Sequence, residues 1–105
     1  MNDPRAALLQ HNRGHWKGCF IRLGGGGSED DRFPTSLEVQ ERDGVIENQL
    51  TYLASGEQRA MNFENVPFTM QVNAGGAWSL GPSAITPLAW TGELSVVHGD
   101  QRRRI

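Results

Sequence analysis

The sequence contains one cysteine, no long apolar run and no excess of positive charge. Because Cys19 alone cannot form an internal disulfide, the protein is typical of a reducing compartment, and we expect a cytoplasmic location. No segment approaches the roughly 20 consecutive apolar residues of a membrane-spanning helix. Residues 1–10 lack the basic and then apolar pattern of a secretory signal. The formal net charge of −2 disfavours a general nucleic-acid-binding surface, so we expect no nucleic acid and no membrane span.

The sequence also lacks a recognisable catalytic or metal-binding motif. His11 and His15 are four positions apart, but no carboxylate or cysteine is placed to complete a metal site. The glycine run 24–27 lacks the Lys-Ser/Thr pair of a phosphate-binding loop. Strand alternation places Cys19 on the face opposite Trp16, away from any cavity in which it could act as a nucleophile. We therefore expect no metal, no cofactor and no catalytic residue, which favours a non-enzymatic protein.

The remaining composition is that of a small globular domain. Of the 105 residues, 37% are hydrophobic and 21% are charged, which indicates a single domain over residues 1–105. Asp3 and Pro4 are typical of the start of a helix, which we predict over about residues 4–12. Alternating segments separated by turns follow, and Asp43-Gly44 is the strongest hairpin signal among them. Strands are predicted over 15–23, 33–42, 45–53, 57–64, 67–72, 77–80, 90–98 and 101–105.

The predicted strands are joined by short turns with no helix between them, which indicates an antiparallel meander. A meander of this length either splits into two sheets or closes on itself, since open edges invite aggregation. A Greek-key sandwich needs long return connections, and this chain offers few of them. We therefore predict an all-β fold, an antiparallel up-and-down barrel with a short N-terminal helix.

One motif at the start of the first strand carries a family resemblance. Gly14-His15-Trp16 is a G-x-W sequence after a short helix, and it resembles the opening of lipocalins and their calycin relatives. Over residues 11–105 the chain resembles an uncharacterised calycin-like family found mainly in cyanobacteria and plastid-bearing organisms. That family is similar in fold to fatty-acid-binding proteins and to the S-type lyases that attach bilins to phycobiliproteins. The segments that carry the resemblance are HWKGCFIRL, FPTSLEVQERDG, LTYLASGEQRAMNF, GAWSLGP and ELSVVHGDQRRRI.

The last predicted strand, 101–105, departs from the resembled pattern because it stops in mid-strand. The resemblance implies that a basic residue of the last strand packs across the tryptophan of the first strand. Arg102, Arg103 and Arg104 are the candidates to cover Trp16, and their spacing does not choose among them. Either the chain is a shortened member of the family, or a second copy supplies the missing strands as a homodimer through the C-terminal strand edge.

An apolar set on the inward faces of the strands is the candidate ligand site. In a hollow barrel these side chains would contact a flat or long apolar ligand, and in a filled barrel they would be ordinary core. Arg59, or Arg22 beside Phe20, would hold an acidic group of the ligand, or would lie at the rim with its charge in water. The predicted ligand-binding residues are Trp16, Phe20, Arg59, Met61, Phe63, Trp78 and Trp90.

Three functions are compatible with this pattern. The first is non-enzymatic binding of a small hydrophobic molecule, similar to a fatty acid or a tetrapyrrole, inside the barrel. The second, implied by the resemblance, is an S-type bilin lyase or chromophore chaperone that acts on phycobiliproteins, with Arg59, Glu93 or Asp100 over the ligand. The third is a structural or assembly role in which open barrel edges pair with another chain.

Overall fold

The computed structural model describes residues 3–82 and 92–105. Within these ranges one helix is followed by eight strands, so the predicted β-rich architecture with a short N-terminal helix is confirmed. The elements are α1 (Pro4–Asn12), β1 (Gly14–Leu23), β2 (Glu29–Arg42), β3 (Val45–Tyr52), β4 (Gln58–Phe63), β5 (Met70–Val72), β6 (Trp78–Leu80), β7 (Glu93–His98) and β8 (Gln101–Arg104).

Helix α1 has the predicted bounds, and local signals account for both ends. The Asp3 side chain accepts hydrogen bonds from the backbone N–H groups of Arg5 and Ala6, at 3.0 and 3.3 Å. Pro4 occupies the first turn, where its missing N–H leaves no intrahelical bond unmade. At the other end the Arg13 N–H donates to the Leu9 carbonyl at 3.1 Å, and Arg13 itself is extended.

The strands form two antiparallel sheets in which consecutive strands are neighbours, β1-β2-β3-β4 and β5-β6-β7-β8. The predicted meander is therefore confirmed within each sheet. Among the described residues the eight strands make two sheets rather than the single continuous sheet of a closed barrel. The Asp43-Gly44 hairpin is present, and positive φ angles of 52° and 81° at these residues are those of a type I′ turn.

Three strand boundaries differ from the prediction by more than one residue. Strand β2 begins at Glu29 rather than Phe33, because β1 continues to pair with it as far as Leu23. Strand β5 begins only at Met70, because the Met70 N–H donates to the Pro67 carbonyl in a turn. Strand β7 begins at Glu93, and the predicted start of that strand, residues 90 and 91, lies outside the described residues.

The chain divides into two compact units. Gly14–Asn62 makes the central unit, which holds the first sheet, and Met1–Arg13 with Phe63–Ile105 makes the terminal unit, which holds α1 and the second sheet. In the central unit the buried side chains of β2 and β3 lie at alternate positions, as expected for a sheet with one buried face. The buried apolar residues are Leu37, Val39, Ile46 and Leu50.

In the terminal unit α1 contacts β5 and β7 and buries Ala7 and Leu8. The fully buried Asn12 side chain fixes the end of the helix through hydrogen bonds to other parts of the chain. Its Nδ2 donates to the carbonyls of Leu8, at 3.1 Å, and Gly76, at 2.9 Å. Its Oδ1 accepts from Nε of Arg102 at 3.3 Å. One side chain therefore joins the helix to the β5–β6 turn and to β8.

The turn before β6 requires glycine at position 76. Gly76 has a φ of 85°, and a Cβ at this position would overlap the side chain of His11, with Cγ only 2.8 Å away. We expect Gly76→Ala to lower the free energy of unfolding by about 2–4 kcal/mol, because it adds backbone strain to a steric overlap. Urea denaturation followed by circular dichroism measures this. Gly75→Ala is the matched control, because its Cβ would meet only Asn73 at 3.5 Å, an ordinary contact.

The Asn12 side chain gives a second stability prediction. We expect Asn12→Ala to lower the free energy of unfolding by about 2–4 kcal/mol, because it removes two donors and leaves Arg102 without this acceptor. The same denaturation experiment measures the change. Asn65→Ala is the control, because Asn65 is exposed. Equal stability of the two variants would show that Asn12 does not hold the helix end in place.

Candidate functional site

An aromatic cluster lies on one face of the first sheet, around Tyr52. The Tyr52 ring lies 6.3 Å from the ring of Phe20, tilted by 38°, and 6.3 Å from the ring of Phe33, nearly perpendicular to it. The strand register explains this grouping, since Phe20 pairs with Phe33 across β1 and β2, and Thr35, two residues further along β2, pairs with Tyr52. Residues two apart on a strand share a face, so the three rings meet on the same side of the sheet.

Two guanidinium groups lie over these rings. The Arg22 Cζ is 5.3 Å from the centre of the Phe33 ring, and the Arg59 Cζ is 5.5 Å from the centre of the Tyr52 ring. Both distances are in the range of a cation–π contact, which is worth about 0.5–1 kcal/mol at an exposed site. We call Phe20, Arg22, Phe33, Tyr52 and Arg59 the Tyr52 cluster. It presents apolar rings and positive charge side by side.

Each arginine of the cluster also has a carboxylate nearby. Arg59 Nε lies 3.3 Å from Oε1 of Glu57, in an ion pair whose side chains are 66% and 56% exposed. Arg22 pairs with Asp31 across β1 and β2, and the Asp31 side chain accepts from the Arg32 backbone N–H at 2.8 Å. An exposed ion pair such as Arg59–Glu57 is weak, so a ligand carboxylate can compete for the Arg59 guanidinium.

Gly18 leaves a gap in the same sheet face. It lies on β1 between Trp16 and Phe20, and it pairs with Thr35 of β2. No described atom lies within 4 Å of the position that a Gly18 Cβ would occupy, and its φ is not in the left-handed region. The face therefore has open space beside the Tyr52 cluster, and a larger residue could fill that space without backbone strain.

The structure brings some of the predicted site residues together and separates others. Phe20 and Arg59 meet at Tyr52, and the half-buried Trp16 lies on the same face of β1 as Phe20. Met61 is 37% exposed on β4, where its carbonyl accepts from Nδ2 of Asn48 at 2.9 Å.

Three predicted residues lie elsewhere. Phe63 ends β4 as a half-buried residue of the terminal unit, and Trp78 lies on β6 in that unit. Trp90 lies outside the described residues.

Trp78 has a structural environment of its own. It is buried, and the guanidinium groups of Arg102 and Arg104 lie over its ring at 5.9 and 5.7 Å from the centre. Arg104 also forms an ion pair with Glu93 at 2.8 Å. Burial, together with the charge of Arg104, lowers the pKa of Arg102 to about 10, and Glu93 opposes both effects. Arg102 and Arg104, two of the three candidates to cover Trp16, therefore lie over Trp78 of the second sheet.

A pocket in the terminal unit is lined by residues outside the predicted ligand-binding set. It has a volume of about 610 Å³ and lies beside β6 and β7. The signal for this pocket in the sequence is a set of apolar side chains. The alternation of residues along a single strand does not show which of these side chains meet in the fold. The apolar lining side chains are Phe68, Leu80, Pro82, Leu94 and Ile105.

Two further features, a metal site and a membrane-spanning helix, can be checked within the described residues. Residues 3–82 and 92–105 contain no group of three histidine, cysteine or acidic side chains that could hold a metal ion. The same ranges contain no helix with the length and apolar character needed to cross a membrane. Glu93 is engaged by Arg104, and Asp100 is exposed in the turn between β7 and β8.

No protein-family profile matches the chain, and no curated protein matches it at a significant level. A solved structure does match, the crystal structure of a DUF3598-family protein of unknown function from Nostoc punctiforme. The TM-score is 0.90 at 22% sequence identity, and the match covers 99% of this chain. This chain spans 39% of the length of that protein. The comparison shows that the fold described above is that of part of a cyanobacterial protein of the DUF3598 family.

Proposed function

We propose that the protein binds a small amphipathic acid, with a fatty-acid-like or tetrapyrrole-like body, at the Tyr52 cluster. The observation that carries the proposal is the placement of Arg22 and Arg59 over the rings of Phe33 and Tyr52, at 5.3 and 5.5 Å. A guanidinium group fixed by a ring keeps N–H donors available for a carboxylate, which it can bind through two parallel hydrogen bonds.

The apolar part of the ligand would lie along the same sheet face. Phe20 and Tyr52 border the gap at Gly18, with Trp16 on the far side of that gap along β1. Such a ligand gains affinity from burying its apolar surface against these rings, while the carboxylate fixes its orientation. The acidic group and the apolar body are therefore recognised by neighbouring parts of one surface.

We further propose that the two sheets belong to a calycin-like barrel, similar to that of the fatty-acid-binding proteins that the sequence resembles, in which β8 remains an edge strand. The consecutive strand order within each sheet and the short turns of the first sheet support this proposal. The longer DUF3598-family protein with the same fold has no known function, so the proposed activity depends on the Tyr52 cluster alone.

A fluorescence titration tests the proposed function. The tryptophan emission of the protein should change on addition of fatty acids or bilins, because Trp16 lies on the sheet face of the proposed site. A fatty acid should bind about tenfold more tightly than the alcohol of equal chain length. Arg59→Leu should remove this preference. Arg42→Leu is a matched control, because Arg42 is also 66% exposed and also pairs with one carboxylate, Glu47. Unchanged emission with both ligand classes would exclude the proposal.

The gap at Gly18 provides a steric test. We expect Gly18→Leu to weaken binding of the fatty acid at least about tenfold, because a leucine side chain fills the space that the ligand body needs. The folded state should be at least as stable as before, since a branched apolar residue suits a strand better than glycine does. Thermal unfolding and the same titration measure the two effects. Tight binding by this variant would place the ligand elsewhere.

The ion pair of Arg59 with Glu57 gives a prediction of opposite sign. We expect Glu57→Gln to increase the affinity for the fatty acid about threefold and to leave the affinity for the alcohol unchanged, because it releases Arg59 from a competing carboxylate. Glu47→Gln, which releases Arg42 instead, should change neither affinity. A loss of affinity in Glu57→Gln would show that Arg59 does not contact the ligand acid.

A further inference from the structure

The outer face of the second sheet carries an exposed apolar surface in the terminal unit. Leu94 and Val96 of β7 are 50% and 47% exposed, and Phe68 and Ile105 are 88% and 90% exposed. Leu94 and Ile105 are joined by two backbone hydrogen bonds of 2.8 Å. Together with Phe68 they border the pocket of about 610 Å³. A contiguous apolar surface of this kind is typical of a binding interface.

Strand β8 forms an edge of the same sheet. Among the described residues β8 pairs with β7 alone. In an antiparallel pair the hydrogen-bonded residue pairs alternate, so after Leu94–Ile105 the next such pair is Val96–Arg103. The backbone N–H and C=O of Arg102 therefore point away from β7, toward the side on which a further strand would add.

Arg103 lies across this edge. Its side chain is exposed, and its Nη1 donates to the Arg102 carbonyl at 3.2 Å. The guanidinium group thus occupies the acceptor that an added strand would use. A charged side chain on an edge strand prevents unselective pairing with other strands. A partner that adds here must draw the guanidinium away, and a carboxylate is the group that does so best.

The sequence of β8 disfavours a second copy of this chain as the partner. Any twofold antiparallel pairing of the strand with itself, centred within residues 102–104, places arginine opposite arginine. Like charges directly opposite each other destabilise a strand pair. The homodimer through this edge, which was one of the expectations from the sequence, is therefore electrostatically unfavourable, and an acidic strand is favoured.

We propose that the β8 edge is a docking site for an extended acidic segment of another protein. The segment adds antiparallel to β8, with an acidic residue opposite Arg103 and, two positions earlier, an apolar residue opposite Ile105. Arg103 would form a non-hydrogen-bonded pair with the new strand, in which facing side chains approach most closely. The apolar residue extends the exposed surface of Ile105 and Leu94. The site is distinct from the Tyr52 cluster, which belongs to the central unit.

Binding of designed peptides to the full chain tests this site. The probe is a fluorescent peptide of about eight residues, mostly threonine, with valine and glutamate two positions apart. Two control peptides are compared with it. One has lysine in place of glutamate, and the other is N-methylated at the residue after the glutamate, because that residue faces Arg102. We expect the glutamate peptide to bind at least about fivefold more tightly than either control peptide. Its binding should also slow hydrogen exchange of the Arg102 amide.

A charge reversal on the protein completes the test. In Arg103→Glu the preference should invert, so that the lysine peptide binds more tightly than the glutamate peptide. Lys17→Glu is the control, because it makes the same change in net charge at an exposed residue of β1 and should keep the original preference. Equal binding of the two peptides, no protection of the Arg102 amide, or a dimer of the free chain that Arg103→Glu abolishes would each overturn the proposal.

Discussion

The antiparallel register of β1 on β2 is the constraint on which the candidate site depends. Phe20 pairs with Phe33, and the shared face then continues to Arg22 at one end and to Trp16 at the other. Because side chains alternate, a slip of one residue would move all of these groups to the opposite face. The register shifts only between Arg22 and Leu23, so Arg22 is the last residue of β1 before the irregularity. Arg22 therefore keeps the regular register of β1 and lies over the ring of Phe33.

Local signals in the sequence are sufficient to predict a large part of the fold. The cap at Asp3 and the proline that follows it predict the start of α1, and Asp43-Gly44 predicts the β2–β3 turn. Each of these features is encoded within a few residues, and its geometry requires particular side chains. Alternation with a period of two was also sufficient to group Trp16 with Phe20.

The rest depends on residues that are distant in the sequence. Tyr52 joins two aromatic side chains and Arg59 only after four strands are aligned, and no local pattern marks it as the centre of a cluster. Asn12 bonds to residues 64 and 90 positions away, although its sequence context indicates only the end of a helix. Alternation finds the faces of single strands, but register and turn geometry decide which residues meet across them.

Arginine has three different roles on these sheets, and each depends on the guanidinium rather than on charge alone. At Tyr52 the flat group lies over a ring and keeps its donors exposed. Arg102, over Trp78, is buried enough for its pKa to fall to about 10, yet it remains charged at neutral pH and its Nε still reaches Asn12. Arg103 lies along a strand edge and bonds to a backbone carbonyl. Lysine would conserve the charge but not the planar fork of donors, so substitution of these positions by lysine is not conservative.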